Sequence, residues 1–380
     1  MKVLTVVGAR PQFIKAAALS RAIRSMKPGL FQEDMLHTGQ HYDANMSTDL
    51  FSELGLPGPK YRLNVGSAPH AQQTGAMMAG IEEVLRSTNY DALLVYGDTN
   101  STLAGALVGS KMGIPIAHVE AGLRSFDRGM PEEVNRVLTD HCSTWLFCPT
   151  RTAVANLERE GIIGRQGGSP SADHPAVLSV GDVMYDNSLH FAARAEEQGP
   201  EVLGIPPDLP FALLTMHRPQ NTDDPLRLER IIDAANSIHE RYGLEIVFPM
   251  HPRTRQRMLE PGSLSLTAKM KGPGWRSIDP VGFFHMAALE KRARLVLTDS
   301  GGVQKEAFFH GTPCVVLRPG TEWVELVQSG HAALGDADPD VILSAADRFL
   351  KDPLPPRPDL FGDGRASERI VKALLGERVP

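Results

Sequence analysis

Short apolar runs alternate with amphipathic helical stretches along almost the whole chain, and this alternation constrains the fold more than any other feature. Runs such as Val3-Leu4-Thr5-Val6-Val7 and Ala92-Leu93-Leu94-Val95-Tyr96 read as buried strands, and the stretches between them as covering helices. That is the βαβ rhythm of parallel sheets. The spacing predicts strands at 2–7, 34–38, 92–96, 115–119, 145–148 and 177–180, then at 211–215, 244–249, 277–279, 294–298 and 313–317. Two such sets in 380 residues, 42% of them hydrophobic, predict an α/β chain with two Rossmann-like domains. Residues 1–185 form the expected first domain and 186–360 the second, with "KDPLPPRPDL" breaking the chain before a last helix in 361–380 that packs back on the first. "GRQGGSPSADHP" (164–175) reads as a mobile surface loop.

The formal charge is -6 and no long basic run occurs, so neither nucleic acid nor an anionic membrane is expected as a partner. The start, Met1 to Gly8, reads as a strand entering a loop rather than a signal peptide, and no apolar stretch approaches a membrane span. Cys142, Cys148 and Cys314 lack zinc-ligand spacing and read as buried free thiols, which suits a reducing cytoplasm.

In open parallel sheets ligands bind outside the carboxyl ends of the strands, so the residues just after each strand are where chemistry is read. After the first strand, "GARPQFIK" sets Arg10 and Lys15 at a helix beginning, where cations oppose the helix dipole and suit an anion. Asp98 follows another strand, where it reads as a helix cap or as a functional carboxylate. Glu120 ends the next strand, a costly place for a carboxylate unless it is solvated or paired. Glu132 opens a helix with Arg136 four residues on, the spacing of an ordinary helical ion pair. His217 and Arg218 end the first strand of the second half, and His251 and Arg253 the next. Asp299-Ser300-Gly301-Gly302 breaks a strand before a helix that carries Glu306. This turn reads either as a tight βα connection or as a diphosphate seat at a helix N-terminus. The rim residues together point to a cleft between the domains for a large anionic ligand.

In this order, "GARPQFIK", "TGQHYD", "YGDTNSTLAGAL", "HVEAGLRS", "MPEEVNR", "HRPQN", "LTDSGGVQKEA" and "FGDGRASERI" resemble the non-hydrolysing UDP-N-acetylglucosamine 2-epimerases over almost the whole chain. The resemblance implies a glycosyltransferase-B (GT-B) architecture and an isomerase that interconverts UDP-GlcNAc and UDP-ManNAc. It also implies a UDP-sugar as substrate, no cofactor or metal, and a cytoplasmic homodimer serving cell-surface polysaccharide synthesis. Asp98, Glu120, Glu132 and His217 match the family's catalytic positions, and Arg10, Lys15 and Arg136 its active site. Ser300, Gly301 and Gly302 would hold the diphosphate and Glu306 the ribose hydroxyls, with Arg218, Phe283, Met286 and Glu322 completing the binding set. The family's route expels UDP from carbon 1 with loss of the carbon-2 proton, leaving 2-acetamidoglucal. UDP then re-adds as a proton arrives on the other face.

Some positions depart from the pattern. Gln220 stands where the "HR-E" motif has a carboxylate, and Trp323 where "ERPE" has an arginine. Met286 stands where an aromatic stacks on uracil, and Asp43 where regulated members carry a glutamine that contacts an allosteric UDP-GlcNAc. A relative acting on UDP-2,3-diacetamido-2,3-dideoxy-glucuronate and a GT-B glycosyltransferase are the alternative readings.

Overall fold

Most of the predicted runs have apolar side chains for both faces, and in the computed structural model each predicted run becomes a strand of a fully parallel sheet. The structure describes residues 1–40, 51–164, 169–197, 199–260 and 264–379, so Asp43 and residues 165–168 of the predicted loop lie outside the described residues. The chain divides into one unit of Met1–Leu189 with Asp359–Pro380 and a second of His190–Pro358.

The first unit holds β1 (Lys2–Val7), β2 (Gln32–His37), β3 (Tyr61–Arg62), β4 (Ala92–Tyr96), β5 (Ile116–Val119), β6 (Trp145–Cys148) and β7 (Ala176–Ser179). Their order across the sheet is β3-β2-β1-β4-β5-β6-β7. In the second unit β8 (Phe211–Thr215), β9 (Glu245–Pro249), β10 (Trp275–Ile278), β11 (Leu295–Thr298), β12 (Cys314–Val316) and β13 (Ala332–Leu334) run in the order β10-β9-β8-β11-β12-β13. Strand order therefore reverses at β1/β4 in one sheet and at β8/β11 in the other. Such a reversal splays the flanking loops apart and leaves a crevice at the carboxyl ends.

Leu4, Val6, Leu36, Leu93 and Val95 pack under helix His70–Ser87 in the first core, and Leu214, Ile246, Phe248, Leu297 and Val315 fill the second. Each fully buried side chain of this size contributes roughly 1.5–3 kcal/mol. Within the first unit, Asp186 caps the last helix, Ala366–Leu374, accepting from the Ala366 and Ser367 N–H groups at 3.0 and 2.7 Å. Among the described residues no helix is long and apolar enough to cross a membrane.

Candidate active site

At the β1/β4 reversal a buried amide joins the two strand ends. Gln12 accepts from the Gly8 and Ala9 N–H groups at 2.8 and 3.1 Å and donates to the Tyr96 carbonyl at 3.0 Å. Asp98, two residues beyond β4, does not cap the helix that follows: Thr99 does, its hydroxyl accepting from the Thr102 N–H at 3.3 Å. The Asp98 carboxylate instead forms an ion pair with Arg136. Arg136 also pairs with Glu133 at 2.9 Å, so the expected Glu132–Arg136 pair is replaced by an i,i+3 pair. Glu133, nearly buried, further accepts from the Ser125 and Phe126 N–H groups at 2.9 and 3.0 Å. Helix phase explains the exchange: one residue is about 100° of rotation. That turns Glu133 inward and leaves the Glu132 side chain half-buried, with no hydrogen bond or ion pair to another described residue.

Glu120 is paired as its position demands. Lys15 contacts its carboxylate, and both side chains are largely buried. Glu120 has φ 74°, a left-handed conformation that costs a non-glycine residue roughly 1–2 kcal/mol. The Phe147 carbonyl helps to hold it, accepting from the Glu120 and Ala121 N–H groups at 3.1 and 3.0 Å. Gly97 makes room for this meeting, because a Cβ there would lie 3.0 Å from Lys15 Nζ and 3.5 Å from Glu120 Oε1. Arg10 is exposed at the first residue of its helix.

In the second unit, β8 and β11 deliver His217 and Asp299 to each other. Asp299 is wholly buried, and its carboxylate lies 3.1 Å from His217 Nδ1. It accepts from the His217 and Arg218 N–H groups at 3.1 and 3.0 Å and from Asn221 Nδ2 at 3.2 Å. Burial alone would raise the Asp299 carboxyl, but the His217 imidazole and the backbone donors outweigh it and leave it below its ordinary range. Asp299 thus fixes the ring of His217, whose side chain remains 41% exposed. Arg218 spends its Nε on the Asp299 carbonyl at 2.9 Å, and His251 tilts over His217 with ring centroids 5.5 Å apart.

Ser300 caps helix Gly301–His310, leaving the N–H groups of Gly301 and Gly302 in a first turn without helical acceptors. Glu322, ion-paired with Arg318 at 2.9 Å, packs against Gly301. Glu306 is half-buried on the same helix. Burial first, and then the charge of Glu306, push the carboxyl of the enclosed Glu290 well above its ordinary range. Phe283 is a buried ring packed against Phe191 and Phe284, whereas Met286 is half-buried. A cavity of about 610 Å³ opens at the carboxyl end of β10, lined by Arg255, Asp279, Val281, Gly282 and His285.

The sequence assigns Gln12, Glu133 and Asp299 no role of their own, although all three stand inside the quoted motifs. Each acts on a main-chain turn or through another side chain rather than facing the crevice.

A family model described as UDP-N-acetylglucosamine 2-epimerase matches residues 24–375. The Pseudomonas aeruginosa UDP-2,3-diacetamido-2,3-dideoxy-D-glucuronate 2-epimerase is 48% identical, over 98% of this chain and 99% of its own. The Methanocaldococcus jannaschii UDP-N-acetylglucosamine 2-epimerase is 42% identical over the same shares, 98% and 99%. A crystal structure of the M. jannaschii UDP-GlcNAc 2-epimerase in complex with UDP-GlcNAc and UDP matches with a TM-score of 0.87 at 41% identity, covering 98% of this chain and 99% of that one. The Neisseria meningitidis UDP-GlcNAc 2-epimerase bound to UDP-GlcNAc matches at 0.84 with 27% identity, covering 99% and 100%. The fold is GT-B-like, and the chain belongs to the UDP-N-acetylglucosamine 2-epimerase family.

Proposed function

We propose that this protein is a non-hydrolysing UDP-N-acetylglucosamine 2-epimerase that interconverts UDP-GlcNAc and UDP-ManNAc. The observation that carries the reading is the chemistry at the two strand-order reversals: acid/base carboxylates at one, an oriented histidine and a helix N-terminus at the other. Carbon 2 has no adjacent carbonyl, so its proton is hard to remove directly. When the bond from carbon 1 to the diphosphate oxygen breaks as the carbon-2 proton leaves to a carboxylate, the electrons form the glycal double bond. Re-addition of UDP with protonation from the opposite face completes the inversion. Two acid/base groups are needed, and Asp98, Glu120 and Glu132 supply the candidates. His217, held by Asp299, stabilises the departing diphosphate with Arg10 and Lys15, while Arg136 keeps Asp98 in place. Ser300, Gly301 and Gly302 seat the diphosphate, and Glu306 accepts from the ribose hydroxyls. Arg218, Glu322, Met286 and the β10 cavity shape the nucleotide site, with Phe283 behind them. The same reading makes the protein a cytoplasmic homodimer serving cell-surface polysaccharide synthesis, and its free thiols suit a reducing compartment.

A second substrate, UDP-2,3-diacetamido-2,3-dideoxy-glucuronate, is favoured by the 48% identity to the P. aeruginosa enzyme of that name. Incubation with each nucleotide sugar alone in D2O, followed by NMR at carbon 2, tests both. Epimerisation with solvent deuterium at carbon 2 is expected after dialysis against EDTA and without NAD. An epimer that keeps its original carbon-2 hydrogen overturns the mechanism, and turnover of only one sugar decides the substrate.

A further inference from the structure

The Asp98 and Glu120 turns are tied together from beneath by a buried histidine. His118 lies in β5 just before Glu120 and is 0% exposed. Its Nδ1 is 2.6 Å from Asp140 Oδ1, and its Nε2 is 2.7 Å from the carbonyl oxygen of Gly97, the residue before Asp98. Asp140 also accepts from the Gly122 N–H at 3.1 Å and from Arg124 Nη1 at 2.7 Å. Arg124 reaches on to Glu160 at 2.7 and 2.6 Å. One carboxylate therefore holds the backbone beyond Glu120 directly and the backbone before Asp98 through the imidazole.

A neutral imidazole has one donor and one acceptor nitrogen. Here both nitrogens face oxygen acceptors. Asp140 takes donors from Arg124 and the Gly122 N–H as well, the donor set of an ionised, acceptor-only carboxylate. A bare ring nitrogen 2.7 Å from a carbonyl oxygen would set lone pair against lone pair, so the geometry calls for a proton on each nitrogen. The resulting charge is compensated, as His118 and Arg124 stand against Asp140 and Glu160.

We propose that His118, protonated on both ring nitrogens, is a positioning residue that holds the Gly97–Asp98 and Glu120–Gly122 turns in register for proton transfer at carbon 2 of the sugar, an inference that rests on the epimerase reading. Proton transfer tolerates little misplacement: a shift of about 1 Å can cost roughly 10²-fold in rate. Glu120 is the vulnerable partner, because its left-handed backbone persists only while its surroundings hold it.

The test has two parts. In wild-type protein labelled with ¹⁵N in its histidine rings, both His118 nitrogens should carry protons at the pH of the assay, with His118→Gln assigning the signals. A His118 nitrogen without a proton overturns the proposal whatever the enzyme does. Then His118→Gln and Asp140→Asn should lower kcat by about 10²-fold per folded molecule while UDP affinity stays within about twofold. Proton delivery should fail more often than UDP expulsion, so released UDP and 2-acetamidoglucal should rise relative to epimer. A purely structural histidine would lower the melting temperature and leave both kcat per folded molecule and the product ratio unchanged, which also overturns the proposal. If His118→Gln does not fold, Asp140→Asn keeps the side-chain shape and carries both the assignment and the kinetics. A wild-type protein that turns over neither nucleotide sugar overturns the epimerase reading instead, and the ring measurement still decides the state of His118.

Discussion

Gly302 isolates the proposed diphosphate seat from the fold around it. A Cβ built there meets nothing nearer than Ser300 Oγ at 3.8 Å, an ordinary contact. Gly302 also has no left-handed backbone, since it lies in the first turn of helix Gly301–His310. Alanine in place of glycine inside a helix stabilises by about 0.5–1 kcal/mol, and less in a first turn. Gly302→Ala should therefore fold at least as well as wild type, its melting temperature raised by up to about 4 °C. A diphosphate that takes its hydrogen bonds from these N–H groups has to come within about 3 Å of the main chain, where the new methyl would stand. A tenfold loss of UDP affinity, about 1.4 kcal/mol, is the expected minimum. Gly301→Ala provides the contrast. Its Cβ would lie 2.2 Å from Glu322 Oε1, and Arg318 pins that carboxylate at 2.9 Å in a buried ion pair. Relieving the clash moves a packed element, at roughly 1–3 kcal/mol of stability. Titration calorimetry with UDP and thermal melts on both variants separate the effects. If Gly302→Ala binds UDP as wild type does, the helix terminus is a packing turn and not the seat.

Asp98→Asn and Glu120→Gln should each lower turnover by about 10² to 10³-fold with UDP affinity retained; near-normal turnover in destabilised variants would return both residues to structural roles. Asp299→Asn should weaken UDP binding and slow its expulsion as His217→Asn does, and the double variant should lose little more than either single one; additive losses in this cycle would separate the pair. The depressed Asp299 and Asp140 carboxyls contribute stability above the ordinary carboxylate pKa, and that contribution fades as pH falls through their lower folded values. Asp299→Asn should therefore flatten the acid side of a plot of melting temperature against pH. Glu33 has the opposite sign: burial raises its carboxyl between Thr5 and Ser20, so its contribution is full at low pH and is lost as pH rises through the folded value. Glu33→Gln should leave the acid side unchanged and make the protein less sensitive to rising pH, as thermal melts across the range would show.

What could be read from the chain depended on whether the deciding information was local. Runs with apolar residues for both faces declare themselves, and the predicted strands appear within a few residues of their places. Tyr61–Arg62 and Ala332–Leu334 escaped because they are short edge strands, completed by the neighbouring strand rather than by their own side chains. For the candidate site, the strand-end rule singled out Asp98, Glu120, His217 and the Ser300 turn, since each follows a run whose end is visible in the sequence. Their partners lie at larger separation. Asp299 reaches His217 only because β8 and β11 are neighbours, and Asp140 reaches His118 across a helix and a strand. Glu132 and Glu133 show the limit most clearly, since i,i+4 and i,i+3 pairing with Arg136 are both good helical geometry. Which one forms depends on where Asp98 and the Ser125-Phe126 turn present their groups, because a buried guanidinium needs acceptors on more than one side. Glu133 supplies one of them and is spent. Glu132, its side chain left with no protein partner among the described residues, is for that reason the more available acid/base group in the proposed mechanism.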